Sequence, residues 1–310
     1  MPTTFRYANL DPRHAPHGFR DVFRWSVLDR LTGRRRVAPP GPPAPRVADG
    51  EAIHRPEGPP RVTWIGHSSF LATLSGASFL LDPVFSRRIA YLIPRHGEPG
   101  LLASELPPLA ALLVTHNHYD HLDAPSVRAL PRRLPVFTAA GLGRWFRRRG
   151  FTEVTELRWW ESAPAGPLTI TFVPARHWSR RIFLDTNRSA WGGFVVEAGG
   201  LTIYHAGDTG WFDGFGEIAA RFPAIDLALL PIGAYAPAWF MEPHHMNPEQ
   251  AIDALLTLRA RAMVPMHWGA FQLTDEPLRE PAERLVRAWD IHRPAARLHL
   301  LAVGETVSVA

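Results

Sequence analysis

The stretch Val114-Thr115-His116-Asn117-His118-Tyr119-Asp120-His121-Leu122-Asp123 constrains this chain more than any other. It follows Ala110 to Val114, an apolar run of the kind found in strands buried on both faces. Ligand sites in α/β sheets lie beyond such strand ends. Three imidazoles and a carboxylate within six positions therefore gather where the backbone turns out of a core. Donors grouped this way suit a borderline cation such as zinc, which takes His nitrogen and Asp oxygen at roughly 2.0 to 2.2 Å.

A site of this kind needs a core to hold it. With 46% hydrophobic and 20% charged residues over 310 positions, the chain can bury one large core or two smaller ones. Cysteine is absent, which excludes disulfides, thiol enzymes and cysteine-ligated metals and leaves nitrogen and oxygen donors. The formal charge of +5 comes from 34 basic residues, every one an arginine, against 29 acidic ones. That balance is modest for a nucleic-acid binder, so no nucleic-acid partner is expected. Arg34-Arg35-Arg36 and Arg147-Arg148-Arg149 read as solvated helix ends. No apolar run approaches the roughly 20 residues of a membrane-spanning helix. The opening Met-Pro-Thr-Thr-Phe-Arg lacks the layout of a signal peptide, and a cytoplasmic protein is expected.

Residues 1–60 differ from the rest. Val37 to Pro45 and residues 55–60 are Pro-rich and read as an extended linker. Before them, Phe19, Val22, Phe23, Trp25, Val27, Leu28 and Leu31 recur at near-helical spacing among Arg20, Arg24 and Arg30. This short basic amphipathic helix is expected either to dock on the parent domain or to touch the inner face of an anionic membrane. Removing residues 1–36 is expected to leave a metal site intact but to weaken binding to anionic lipid vesicles. Residues 61–310 then form one catalytic domain, with strands at Arg61 to Ile65, Ser69 to Leu74, Ser78 to Leu81, Ala110 to Thr115, Val136 to Thr138, Leu168 to Val173, Gly193 to Glu197, Leu201 to His205, Leu227 to Pro231 and Ala262 to Met266. Helices are expected near Pro125 to Leu130, Leu142 to Arg149, Gly214 to Arg221 and Pro248 to Arg259.

His116-Asn117-His118-Tyr119-Asp120-His121 has the HxHxDH form, by which the chain resembles the metallo-β-lactamase superfamily. The resemblance implies an α/β fold, a four-layer αββα sandwich with a dinuclear metal site at one edge of its two sheets. It implies that His116, His118 and His177 hold one metal, that Asp120, His121 and His267 hold the second, and that Asp208 bridges them. His177, Asp208 and His267 all lie just beyond expected strands. Two zinc ions are the implied cofactors, manganese or iron suiting similar donors. The segments Val62 to His67, Leu81 to Ser86, Ser104 to Pro108, His205 to Gly210, Pro231 to Tyr235, Trp239 to Met241, His245 to Glu249 and His267 to Gly269 narrow the resemblance. They point to the branch containing the N-acyl-phosphatidylethanolamine-hydrolysing phospholipase D and its bacterial relatives. Against that enzyme, the segment Arg87 to Ala103 is short and His245 is followed by Met246-Asn247.

Asp120 and His245 are the candidate catalytic residues, His245 matching a histidine that stands beside the phosphate in that branch. A ligand imidazole needs its other nitrogen fixed by an acceptor. Asp82, next to Pro83, is a candidate for such a contact or for a turn cap, and His67 is a second candidate for a supporting role. His205 and His244 read as ordinary polar residues. Together these features lead to a zinc-dependent phosphodiesterase of phospholipase D type, using metal-bound hydroxide on a phospholipid or smaller phosphodiester. A lactonase or other carboxylic-ester hydrolase on the same site is the alternative. A di-iron oxidoreductase is disfavoured, because such proteins carry Glu where His118 stands, and a non-catalytic module would not need a complete donor set. A homodimer is compatible with the sequence.

Overall fold

The computed structural model describes residues 6–11, 14–47, 58–182 and 184–309. Its strands are β1 (Arg61–Gly66), β2 (Ser69–Leu74), β3 (Ala77–Leu81), β4 (Arg88–Ile89), β5 (Ile93–Pro94), β6 (Ala111–Val114), β7 (Val136–Ala139), β8 (Val154–Leu157), β9 (Ser162–Ala165), β10 (Leu168–Val173), β11 (Gly193–Ala198), β12 (Leu201–His205), β13 (Leu227–Pro231), β14 (Ala262–Met266), β15 (Arg297–Leu298) and β16 (Thr306–Ser308). Two seven-stranded sheets form, ordered β16-β1-β2-β3-β6-β7-β8 and β15-β14-β13-β12-β11-β10-β9, beside a β4-β5 hairpin.

Both sheets follow one plan. β16, β1, β2 and β3 pair antiparallel, then β3, β6, β7 and β8 pair parallel. In the second sheet β9 to β12 are antiparallel and β12 to β15 parallel. The parallel strands are buried along their length, as in the ALLV of β6 and the LALLP of β13. Such continuous apolar runs form strands covered on both faces. Trp64, Phe70 and Phe79 of the first sheet share one core with Phe172, Phe194 and Tyr204 of the second. Helix Pro248–Leu258 packs on β13 and against helices Gly214–Arg221 and Glu280–His292, and helix Gly143–Arg147 packs on β8. The result is the expected αββα sandwich.

Local signals set the helix ends that border the site. Asp123 accepts the Ser126 amide at 3.0 Å and caps Ala124–Arg128, so the loop that carries His116 to His121 ends in a helix start. Asn247 and Gln250 form a reciprocal capping box ahead of Pro248. Arg259, placed in that helix by its sequence pattern, is instead its left-handed cap at φ 54°. The sequence pattern marks neither helix Glu280–His292 nor helix Ala238–Met241, and none of strands β4, β5, β8, β9, β15 and β16.

The described N-terminal residues lie against the domain. Its helix runs Phe19–Phe23, a π-helical Arg24–Leu28, and Asp29–Leu31. Phe240 lies between the rings of Trp25, centroids 4.7 Å apart, and His17, 4.1 Å. Arg35 grips Asp275 at 2.6 to 2.8 Å. The Pro-rich Val37 to Pro45 is extended but follows the body, where Ala38 N donates to Asp275 O, Ala44 N to Gly269 O, Leu278 N to Pro40 O and Val303 N to Pro45 O. Residues 55–57 of the second Pro-rich stretch lie outside the described residues. The described N-terminal residues are thus docked on the domain.

Candidate metal centre

The expected ligands come from four loops at one edge of the sandwich. His116, His118, Asp120 and His121 follow β6, His177 follows β10, Asp208 follows β12 and His267 follows β14. Their donor atoms gather in two groups in which all atoms lie within 4.8 Å of one another: His116, His118, His177 and Asp208, and His67, Asp120, His121 and His267. A third group, Asp208, His245 and His267, overlaps both. Asp208 faces each set, with Oδ2 3.9 Å from His116 Nε2, 3.8 Å from His177 Nε2 and 3.2 Å from His267 Nε2, and Oδ1 3.1 Å from His121 Nε2. The backbone here is unusual: His67, Asp82 and His267 adopt φ of 56°, 41° and 64°. Left-handed non-glycine residues cost of order 1–3 kcal/mol each and concentrate at functional sites. Gly207, at φ 61°, could not carry a Cβ, which would stand 2.6 Å from Gly192 O.

Hydrogen bonds fix which ring nitrogen each histidine presents. Thr115 Oγ1 donates to Asp82 Oδ2 at 2.6 Å, so at 3.0 Å it accepts from His116 Nδ1–H. His121 Nδ1–H donates to Asp82 Oδ2 at 2.7 Å, and His177 Nδ1–H donates to the His244 carbonyl at 3.0 Å. All three imidazoles therefore turn Nε2 inward, the nitrogen left to face a metal. Asp82 is fully buried and also accepts the Thr115 amide at 2.8 Å. It thus stands where a contact that orients a metal-binding imidazole must stand. His67 Nε2–H donates to Asp120 Oδ2 at 3.0 Å.

These residues fit a pair of cations. His118 Nδ1 lies 3.0 Å from His116 Nε2 and 3.2 Å from His177 Nε2. Two of these three nitrogens carry no proton, so direct hydrogen bonding cannot satisfy the set. His121 Nε2, His267 Nε2 and Asp208 Oδ1 are buried without a hydrogen-bond partner among the described residues. Asp120 and Asp208 are only 8% and 3% exposed. Buried carboxylates require compensating positive charge. Burial pushes the His67, His118 and His245 imidazoles down, to about 3, about 4 and about 4, and His118 is thereby neutral, as a metal donor must be. Burial also opposes charge on His267, but Asp208 and Asp120 outweigh it and lift that imidazole to about 9. His121 is raised in the same way against the effect of burial. In both cases the ring takes up the positive charge the carboxylates demand.

A cavity of about 800 Å³ opens from the centre. His118, Asp120, Asp208 and His245 line its inner end, while Val22, Trp25, Trp178, Phe240 and Met241 supply apolar wall and Arg180 and Arg188 add cations. His245 thus faces both the donor cluster and open space. His205 is structural: Nε2–H donates to Ser68 O at 3.0 Å and Nδ1 accepts from Gly207 N at 3.2 Å. His244 lines the cavity with neither ring nitrogen bonded among the described residues. Three residues escaped the sequence reading. Thr115 adjoins the motif and could have been found there. Arg181 holds the ligand loop from outside, donating to the Asn117 and Leu122 carbonyls at 3.2 and 2.6 Å. Asn9 grips the His177 backbone. Neither Arg181 nor Asn9 has a local signature.

With paired His and Asp donor sets at one edge of its αββα sandwich, the protein is a metal-dependent hydrolase, as its relatives bear out. The chain belongs to the β-lactamase superfamily, residues 78–268 matching the Beta-lactamase superfamily domain. It is 36% identical over 246 residues to the N-acyl-phosphatidylethanolamine-hydrolyzing phospholipase D 1 of Caenorhabditis elegans, covering 74% of this chain and 69% of that protein. It is 33% identical over 274 residues to a metal-dependent hydrolase of Nitratidesulfovibrio vulgaris, covering 80% and 95% respectively. A possible metal-dependent hydrolase from Veillonella parvula superposes with a TM-score of 0.67 at 17% identity, over 81% of this chain and all of that one, and shares the fold.

Proposed function

We propose that the protein is a zinc-dependent phosphodiesterase of the phospholipase D type, acting on a phospholipid or a smaller phosphodiester. The observation that carries this reading is the cavity of about 800 Å³, which joins the donor cluster to walls of Val22, Trp25, Trp178, Phe240 and Met241. A phosphodiester with an apolar arm would place its charge among His118, Asp208, His245 and Arg180 and its arm along those walls. The name of the Caenorhabditis elegans relative supports the same substrate class.

His116, His118 and His177 would hold the first metal, Asp120, His121 and His267 the second, and Asp208 both. When bound, such a pair activates water near neutral pH and stabilises the attacking and departing oxygens of an in-line displacement. The chain's own residues do the rest. Asp82 and Thr115 keep the His121 and His116 lone pairs inward, and His67 orients Asp120. His245, held neutral by burial at about 4, serves as an N–H donor to a phosphoryl oxygen. The apolar walls keep water from competing for these groups and strengthen their electrostatic action. Zinc suits nitrogen and oxygen donors, and manganese or iron are the other metals such a set could take.

The helix Phe19–Phe23 leaves Phe19 81% exposed beside Arg20 and Arg24, and Leu184 of the cavity lining is 72% exposed. Peripheral contact of this face with an anionic membrane fits a phospholipid substrate. Metal analysis of the purified protein, with a screen of phosphodiesters, phospholipids and lactones, tests the reading. Phosphodiester hydrolysis is expected, and lactone hydrolysis without it overturns the proposal in favour of a carboxylic-ester hydrolase.

A further inference from the structure

We infer that Asn9 is a positioning residue for the first metal, holding the backbone of His177 from the N-terminal arm, so that residues 6–9 belong to the metal centre. The inference rests on the assignment of His177 as a ligand of that metal. Asn9 is 8% exposed. Its Nδ2 donates to the carbonyls of His14 and, at 2.9 Å, His177. Its Oδ1 accepts from the His177 amide at 3.0 Å and from Trp191 Nε1 at 3.2 Å. A carboxamide has two N–H donors and two acceptor lone pairs, and here all four are engaged. Two of them grip the N–H and C=O of one residue 168 positions away, as a neighbouring strand would.

The arm is anchored in turn to the loop beyond His177. Arg6 N and Tyr7 N both donate to Asn187 O at 3.1 Å, and Asn187 exchanges two hydrogen bonds with Ser179, at 2.7 and 3.0 Å. His177 is thereby fixed at its amide, its carbonyl and Nδ1, and Nε2 alone remains to face His118 Nδ1. His116 and His118 share one loop, so His177 is the imidazole that closes the first donor set from a second loop. Without Asn9, the buried His177 amide and carbonyl lose their partners, which the loop can recover only by shifting. Metal ligands tolerate displacements of about 0.2 Å. The hydrogen bonds of Asn9 end on His14, His177 and Trp191, none of them a donor of the second set, so the effect should fall on one metal only. On this inference, removing residues 1–36 would disturb the first metal, against the expectation from sequence that the site stays intact.

Full-length protein stripped by chelation is titrated with cobalt(II), following visible absorption and heat. Wild type should bind two ions, and His177→Ala should weaken one of them. Asn9→Ala should weaken that same ion by about 10- to 100-fold, the usual cost of removing a contact that supports a metal ligand, while the spectrum and affinity of the other stay as in wild type. Wild-type binding of both ions by Asn9→Ala overturns the inference, and so does equal weakening of both, which would mark general loosening. If His177→Ala keeps both ions at wild-type affinity, the ligand assignment itself fails and takes the inference with it. Asn9→Ser, judged by the same criteria, replaces Asn9→Ala if that variant does not fold.

Discussion

Asp82→Asn should separate the orienting role of this carboxylate from a turn cap. Asp82 sits in the left-handed region at φ 41°, which asparagine tolerates, so the exchange adds little backbone strain. The native carboxylate accepts the Thr115 amide on one oxygen and Thr115 Oγ1–H and His121 Nδ1–H on the other. An amide nitrogen on the first side would confront the Thr115 N–H, donor against donor. On the second side, it would force His121 to accept at Nδ1 and carry its proton on Nε2. That proton would occupy Nε2, the nitrogen that must offer its lone pair to a metal. Hydrogen bonds to charged groups contribute about 1.5–3 kcal/mol, and losing the partner of a metal-binding imidazole costs about 10- to 100-fold in affinity. Competition with a chromophoric chelator should therefore show the second zinc bound about 10- to 100-fold more weakly, and the metal-free protein should melt earlier. Unchanged affinity for the second metal would refute the tautomer reasoning and leave Asp82 a turn cap.

His245→Ala should retain both metals and turn over phosphodiesters about 10²- to 10³-fold more slowly. The loss should be similar for nitrophenyl and alkyl leaving groups, because a neutral imidazole binds the phosphoryl oxygen; a loss confined to alkyl diesters would show that it protonates the leaving group. Val22→Trp places an indole in the cavity and should raise KM for a long-chain phospholipid by roughly 5- to 150-fold, the equivalent of about 1–3 kcal/mol of overpacking. Bis(p-nitrophenyl) phosphate should be unaffected, and equal effects on both substrates would remove the apolar arm from the cavity. With His267 lifted to about 9 and His121 also raised, both are protonated in the metal-free protein at pH 7, so zinc uptake should release protons and tighten as pH rises towards 9. The buffer dependence of the binding enthalpy reads this, and no release would contradict it. His67, His118 and His245 act in the opposite sense on metal-free stability. The unfolded chain protonates them near 6.5, the folded one only near 4 or, for His67, near 3, so their contribution is complete above 6.5 and is lost as pH falls through about 4 and then about 3.

The parts of the fold that could be read from sequence are those whose burial is nearly uniform. β2, β10, β12, β13 and β14 have the bounds their apolar runs suggest, and their ends locate His177, Asp208 and His267. β9 was missed because its sequence Ser-Ala-Pro-Ala carries neither alternation nor β-branching and Pro164 suits only an edge. β15 and β16 are two and three residues long, too short for any period. Helix Glu280–His292 has Pro281 in its first turn, which reads as a break although that position accepts proline. The Pro-rich Val37 to Pro45 is extended as its composition suggests, but composition cannot show that its backbone pairs with residues 269–303. The same holds at the centre. Histidines in a dense motif announce themselves, whereas Asn9 and Arg181 act through backbone atoms of distant loops and leave no pattern along the chain.

The measurement that bears most directly on the proposed dinuclear site is metal content and phosphodiester hydrolysis determined together for wild type and Asp208→Ala. Asp208 is the carboxylate whose oxygens lie 3.1 to 3.9 Å from imidazoles of both donor sets. Wild type should carry about two metal ions per chain, as two-metal chemistry requires, and Asp208→Ala should lose metal and hydrolysis in parallel. A fully active Asp208→Ala protein, or a wild type that hydrolyses its substrate after both metals are stripped, would contradict the dinuclear assignment.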